Sequence, residues 1–136
     1  MNKQERIGKI SKIIGVVVDV YFPDHTPQQL HALQVNNGSE VVVLEVQSHI
    51  GNGVVRTVAM SSTDGLSIDQ EVFDTEKCIT VPVGEDVLGR VFNVTGDAID
   101  GGKEIPKSVE RREIHAPAPA LVDQNPDIET LETGIK

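Results

Sequence analysis

With 136 residues the chain has room for one domain of ordinary size, or for a small domain and part of another, and little for two complete ones. Its 12 Lys+Arg against 21 Asp+Glu leave a formal net charge of -9, spread along the sequence, which repels polyanions and argues against a nucleic-acid partner. Tyr21, Phe22, Phe73 and Phe92 are the only aromatic residues, too few for a base-stacking or sugar-lining platform, so valine and isoleucine must build the core.

From Ile7 to Phe22 the residues alternate, with Ile10, Ile14, Val16, Val18, Val20 and Phe22 on one parity; Gly15 suits a sharp bend, so the reading is one long bent strand. Pro23 to Pro27 is loop, and Leu30 to Val35 is a short strand closed by the hairpin signal Asn36-Asn37-Gly38. In Glu40 to Ile50, Val42, Leu44, Val46 and Ile50 share the core-facing parity. Gly51-Asn52-Gly53 turns the chain into a strand from Val54 to Met60, and Ser61 to Gly65 is another turn. Gln70 to Phe73 and Lys77 to Val81 read as two further short strands, about six in all, the spacing of a sandwich or barrel. Closure into a barrel would remove exposed edges.

After Val83 glycines interrupt the pattern and only Val87 to Val94 reads as a strand. Asp97 to Gly102 is a turn, and Ala116 to Ala120, with Pro117 and Pro119, is extended. Pro126 to Glu132 could begin a helix. The single Cys78 has no internal disulfide partner, which fits a reducing compartment, and reads as a small buried hydrophobe. Lys9, Ser11, Lys12 and Asp19 interrupt any signal-type apolar run near the N-terminus, and no stretch reaches transmembrane length. The expected location is the cytoplasm or an equivalent organellar compartment, with any membrane link made through partners.

The chemistry-bearing residues form no site. A phosphate-binding loop needs closely spaced glycines followed by Lys and Ser or Thr, and no such string occurs. Gly51-Asn52-Gly53-Val54-Val55-Arg56 begins like a dinucleotide fingerprint, but strand-forming residues follow where a helix should open, so a hairpin turn accounts for it. His25, His31, His49 and His115 are scattered without metal-ligand spacing and read as surface or loop imidazoles. Asp97 with Asp100, and Asp64 with Asp69, could pair as acid and base but read as solvated turn residues. Arg111 and Arg112, between Glu110 and Glu113, could clamp a phosphate but read as a solvent-facing or intersubunit ion-pair patch. Asn37-Gly38-Ser39 and Asn93-Val94-Thr95 match the glycosylation pattern without a secretory signal to lead to it. No catalytic, cofactor-binding or metal-ligating residue is therefore assigned. A free-standing barrel adaptor of OB-like type and a small hydrolase with paired carboxylates stand as the rival readings.

Several strings resemble the N-terminal portion of the ATP synthase F1 beta subunit family: Ile14-Gly15-Val16-Val17-Val18-Asp19-Val20, Leu44-Glu45-Val46, and Val55-Arg56-Thr57-Val58-Ala59-Met60 with Thr63-Asp64-Gly65-Leu66. Val81-Pro82-Val83-Gly84, Leu88 to Val94, Ile114-His115-Ala116 and Glu132-Thr133-Gly134-Ile135-Lys136 continue it in order. The related alpha subunit shares the Pro-Val-Gly and Leu-Gly-Arg region, but the strings at Leu44 and Arg56 resemble beta. The resemblance implies an all-β closed six-stranded antiparallel barrel over residues 1–82, the crown domain. Residues 83–136 would be a loop-rich segment that begins an α/β nucleotide-binding domain. It implies alternation with alpha subunits in a hexameric ring, peripheral to a membrane. The whole subunit would make ATP from ADP and phosphate with Mg2+, driven by a transmembrane ion gradient, or hydrolyse it in reverse. The expectation is that this chain stops before the phosphate-binding loop, carries no cofactor and is inactive alone.

Overall fold

The computed structural model describes residues 6–106, 108–124 and 130. Six strands close into one antiparallel barrel: β1 (Ile7–Ile14), β2 (Val17–Tyr21), β3 (His31–Asn37), β4 (Glu40–Gly51), β5 (Val54–Ala59) and β6 (Glu71–Cys78). Around the barrel the order is β1-β2-β5-β4-β3-β6, and β6 pairs with β1 through Ile7↔Phe73 and Gly8↔Val72. The expected all-β closed barrel is what forms. No edge is left unpaired around the ring, which protects a surface that would otherwise recruit other strands.

Why these residues make a barrel follows from their alternation. Ile10, Val18, Val20, Leu33, Val35, Val42, Leu44, Val46, Val55 and Val72 are buried together in the interior, and β-branched side chains fit a pleated wall with little loss of rotamer freedom. Phe22 plugs the end of the barrel where its backbone N–H bonds the Gly53 carbonyl at 2.8 Å. Thr57 is the polar exception on β5, and its hydroxyl donates to the Val18 carbonyl at 2.7 Å.

The strand count agrees with the sequence reading, but two of its parts are corrected. The segment expected as one long bent strand is two strands folded back on each other, with Ile14 opposite Val17. Gly15, at φ 57°, makes the turn rather than a bend, because the left-handed backbone costs glycine nothing. Ile14 and Val16 flank that turn and are exposed, against their expected place in the core. Conversely, the strand expected at Gln70 to Phe73 continues to Cys78 and takes in the first two residues of the strand expected at Lys77 to Val81, whose Thr80 and Val81 pair outside the barrel. β6 runs unbroken through Asp74, Thr75 and Glu76, whose polarity had suggested a gap.

Ile50 is the other parity error. Register shifts between Val46 and Ser48 and again between His49 and Gly51 insert bulges into β4, and the residues after Val46 no longer alternate between buried and exposed. Val46 is fully buried while Ile50 is 51% exposed.

Beyond Cys78 the chain leaves the barrel. β7 (Thr80–Pro82) pairs with β8 (Arg111–Glu113) in a separate two-stranded sheet, Val81 opposite Arg112. The strand expected at Val87 to Val94 does not form. Its glycine-broken stretch holds a single 3-10 turn at Glu85–Val87 and one isolated bridge, Phe92 to Ala98. Ala116 to Ala120 is without regular structure, as its prolines require. The helix start at 126–132 and the string Glu132 to Lys136 lie outside the described residues, apart from Thr130.

Candidate functional site

Three buried carboxylates decide how polar groups are used in this chain. Asp74 on β6 is 1% exposed, and two of the scattered histidines converge on it. His25 Nε2 lies 3.0 Å from Oδ2 and His31 Nδ1 3.2 Å from Oδ1, while the Glu76 backbone N–H donates to Oδ1 at 2.8 Å. His25 arrives on the loop after β2 and stacks edge-on against Phe22, ring centres 5.0 Å apart. His25 is on a loop, as read, and His31 is on β3; both side chains are largely buried rather than at the surface. They span 49 and 43 residues of sequence to satisfy one acid, so no local spacing could reveal them.

Asp19 on β2 faces Arg56 on β5, its cross-strand partner in the register. Arg56 Nε and Nη2 donate to the two carboxylate oxygens at 2.9 and 3.0 Å, a bidentate pairing. Those bonds hold the Asp19 carboxyl below the usual carboxylate range, against the opposing effect of burial.

Glu45 is the third. It stands on the outward parity of β4, between the inward Leu44 and Val46, yet is only 5% exposed. Its Oε2 accepts from His115 Nε2 at 2.7 Å and its Oε1 from the Gln47 amide at 2.7 Å. Cys78 is half-buried rather than fully enclosed, and burial, then the Glu113 and Glu45 carboxylates, push its thiol upward. A thiol held protonated is a poor nucleophile. His49 bonds the Pro27 carbonyl at 2.7 Å.

In the segment after the barrel the acids and arginines secure turns. Arg90 clamps Asp100 with two guanidinium nitrogens, and the Gly102 amide adds to that grip, which keeps Asp100 well below the ordinary range. Thr95 and Asn93 bond Asp97, which is likewise held low. Asp97 and Asp100 thus have different partners, Thr95 and Asn93 for the one and Arg90 and Gly102 for the other. Arg111 is exposed, as expected, and also ties the segment together: it donates to Thr80 Oγ1 at 3.1 Å, to the Thr80 carbonyl at 2.7 Å and to the Thr95 carbonyl at 3.1 Å. Arg112 meets Glu110 at 3.7 Å with both side chains exposed, a pairing that contributes little.

An open groove of ≈ 720 Å³ runs between the outer wall of β3 and β4 and this segment, with Val41, Val43 and Met60 on one side and Thr95, Asp97 and Arg111 on the other. Among the described residues no group of three or more His, Cys, Asp or Glu is arranged to hold a metal ion. No helix among them is long and apolar enough to cross a membrane. Among the described residues the helical turns have three residues each, and Asp97 and Arg111 bond to neighbours.

What remains is an edge-free barrel with a filled interior and apolar side chains on its outside, Ile14, Val16, Val41, Ile50 and Ile68 each more than half exposed. Residues 10–76, which run from β1 into β6, match the family model of the ATP synthase alpha/beta family, beta-barrel domain. The barrel is similar to that domain over those residues.

Proposed function

We propose that the chain is the N-terminal assembly part of a catalytic beta subunit of an F-type ATP synthase, its barrel standing between alpha-subunit barrels in an alternating six-membered ring. The observation that carries this reading is the closed barrel that matches the family domain over residues 10–76 while leaving apolar residues on its outer wall. The choice of beta over alpha is supported by Leu44-Glu45-Val46 and Arg56 to Met60. In this reading residues 83–136 lead into a nucleotide-binding domain, and phosphate and Mg2+ are handled by residues outside these 136. The complex would sit on the cytoplasmic or equivalent organellar face of a membrane and couple ATP synthesis to an ion gradient.

The barrel's part is to hold its neighbours in register while the domains below it change shape. Native mass spectrometry of this chain mixed with an alpha-subunit barrel domain tests the proposal. Hetero-association that exceeds self-association of either partner is expected. Self-association alone, or preference for a second beta-type barrel, would overturn it.

A further inference from the structure

We infer that residues 79–115 are clasped to the outer wall of the barrel, through Glu45 and His115 and the β7–β8 pair, so that the chain beyond His115 leaves the barrel from a fixed point.

The first observation is burial on the wrong side of a wall. Ala32 and Glu45 are direct cross-strand partners, and both belong to the outward parity of their strands, since Leu33, Leu44 and Val46 fill the interior. Outward residues of an isolated barrel meet water. Ala32 and Glu45 are nonetheless 8% and 5% exposed, so something covers them. Ile79, 4% exposed, lines the same groove as Ala32 where the chain exits β6, and His115 closes on the Glu45 carboxylate.

The second observation is how the segment is tied to itself. The Val83 N–H bonds the Glu110 carbonyl at 2.9 Å and the Ile114 N–H bonds the Ile79 carbonyl at 3.0 Å, so the outgoing and returning strands are joined at both ends of their short sheet. Arg111 joins β8 to Thr80 on β7 and to the Thr95 turn. The loop between β7 and β8 therefore hangs from a closed stem, with Pro82 and Arg111 as its two feet. His115 lies two residues beyond β8, and its bond to Glu45 spans 70 residues, the contact that joins the stem to the barrel. Glu45 is buried, so losing His115 leaves its Oε2 without a donor, while Gln47 still holds Oε1.

The inference rests on contacts within this chain and not on the assembly reading, so either can fail alone. Hydrogen exchange followed by mass spectrometry on the 136-residue chain tests it, with His115→Ala and the isosteric Glu45→Gln beside the unsubstituted protein. In the unsubstituted protein the Val83 and Ile114 amides are expected to be protected. Both substitutions should speed their exchange roughly tenfold or more while β1 and β2 stay unchanged. Unprotected Val83 and Ile114 amides in the starting protein, or no change in either variant, would overturn the clasp. So would loss of protection throughout β1 and β2 in both variants, because the contact would then belong to the folding of the barrel itself.

Discussion

At Gly8 the wall of the barrel and its plug leave no room for a side chain. A Cβ there would lie 2.8 Å from the Phe22 ring and 2.8 Å from the Tyr21 carbonyl, both closer than atoms tolerate. Gly8→Ala should therefore destabilise the protein by about 1–3 kcal/mol through overpacking. A urea titration would show a lower midpoint with an unchanged slope; an unchanged midpoint would mean that Phe22 can move aside. The acids give a second residue-scale prediction. Asp19, Asp97 and Asp100 all have folded pKa values lowered by their donors, so each contributes stability that is complete above the unfolded value, about 4, and is lost as pH falls through the folded one. Thermal melts should fall steeply below about pH 4. Asp19→Asn should melt lower than the unsubstituted protein at pH 7 and lose less on acidification, with the gap narrowing in high salt because Arg56 is partly exposed. Equal acid sensitivity in the two proteins would remove Asp19 from this account.

At the scale of the element, β4 shows how a bulge can undo an alternation that is otherwise plain. Leu44 and Val46 are buried, and Ile50, of the same sequence parity, is not. Leu44→Ala should cost about 2–5 kcal/mol and Ile50→Ala less than about 0.5, measured by the same urea titration. A large loss at Ile50 would place it in a buried contact. The first half of β4 and the hairpin at Asn37-Gly38 were readable because their side chains obey period two and their turn residues favour the turn. The β1–β2 hairpin was not, because a single Gly15 between valines and isoleucines signals a bend as well as a turn. β6 was hidden for a different reason: Asp74, Thr75 and Glu76 read as loop until His25 and His31, from another part of the chain, satisfy the acid.

For the whole molecule, barrel closure and polar commitment point the same way. Asp97 and Arg111 at the groove are engaged with neighbours, and among the described residues no helix of more than three residues offers a row of amides to phosphates. Isothermal titration with ATP and magnesium should accordingly show no magnesium-dependent binding in the micromolar range; a saturable isotherm would overturn this. The groups that matter most to the candidate surface were half legible. Glu45 and His115 were both in strings that resembled the family, but their contact, at a separation of 70 residues, was not foreseeable from spacing.

The sequence by itself determined that this is a β protein with an aliphatic core, tight turns and no phosphate-binding string, because alternation and turn chemistry act between near neighbours. Only the tertiary structure decided which strands are two and which are one, that the ring closes through β1 and β6, and that His25, His31 and His115 serve buried carboxylates. Those outcomes depend on pairing partners tens of residues away, whose register, bulges and hydrogen bonds leave no local trace in the chain.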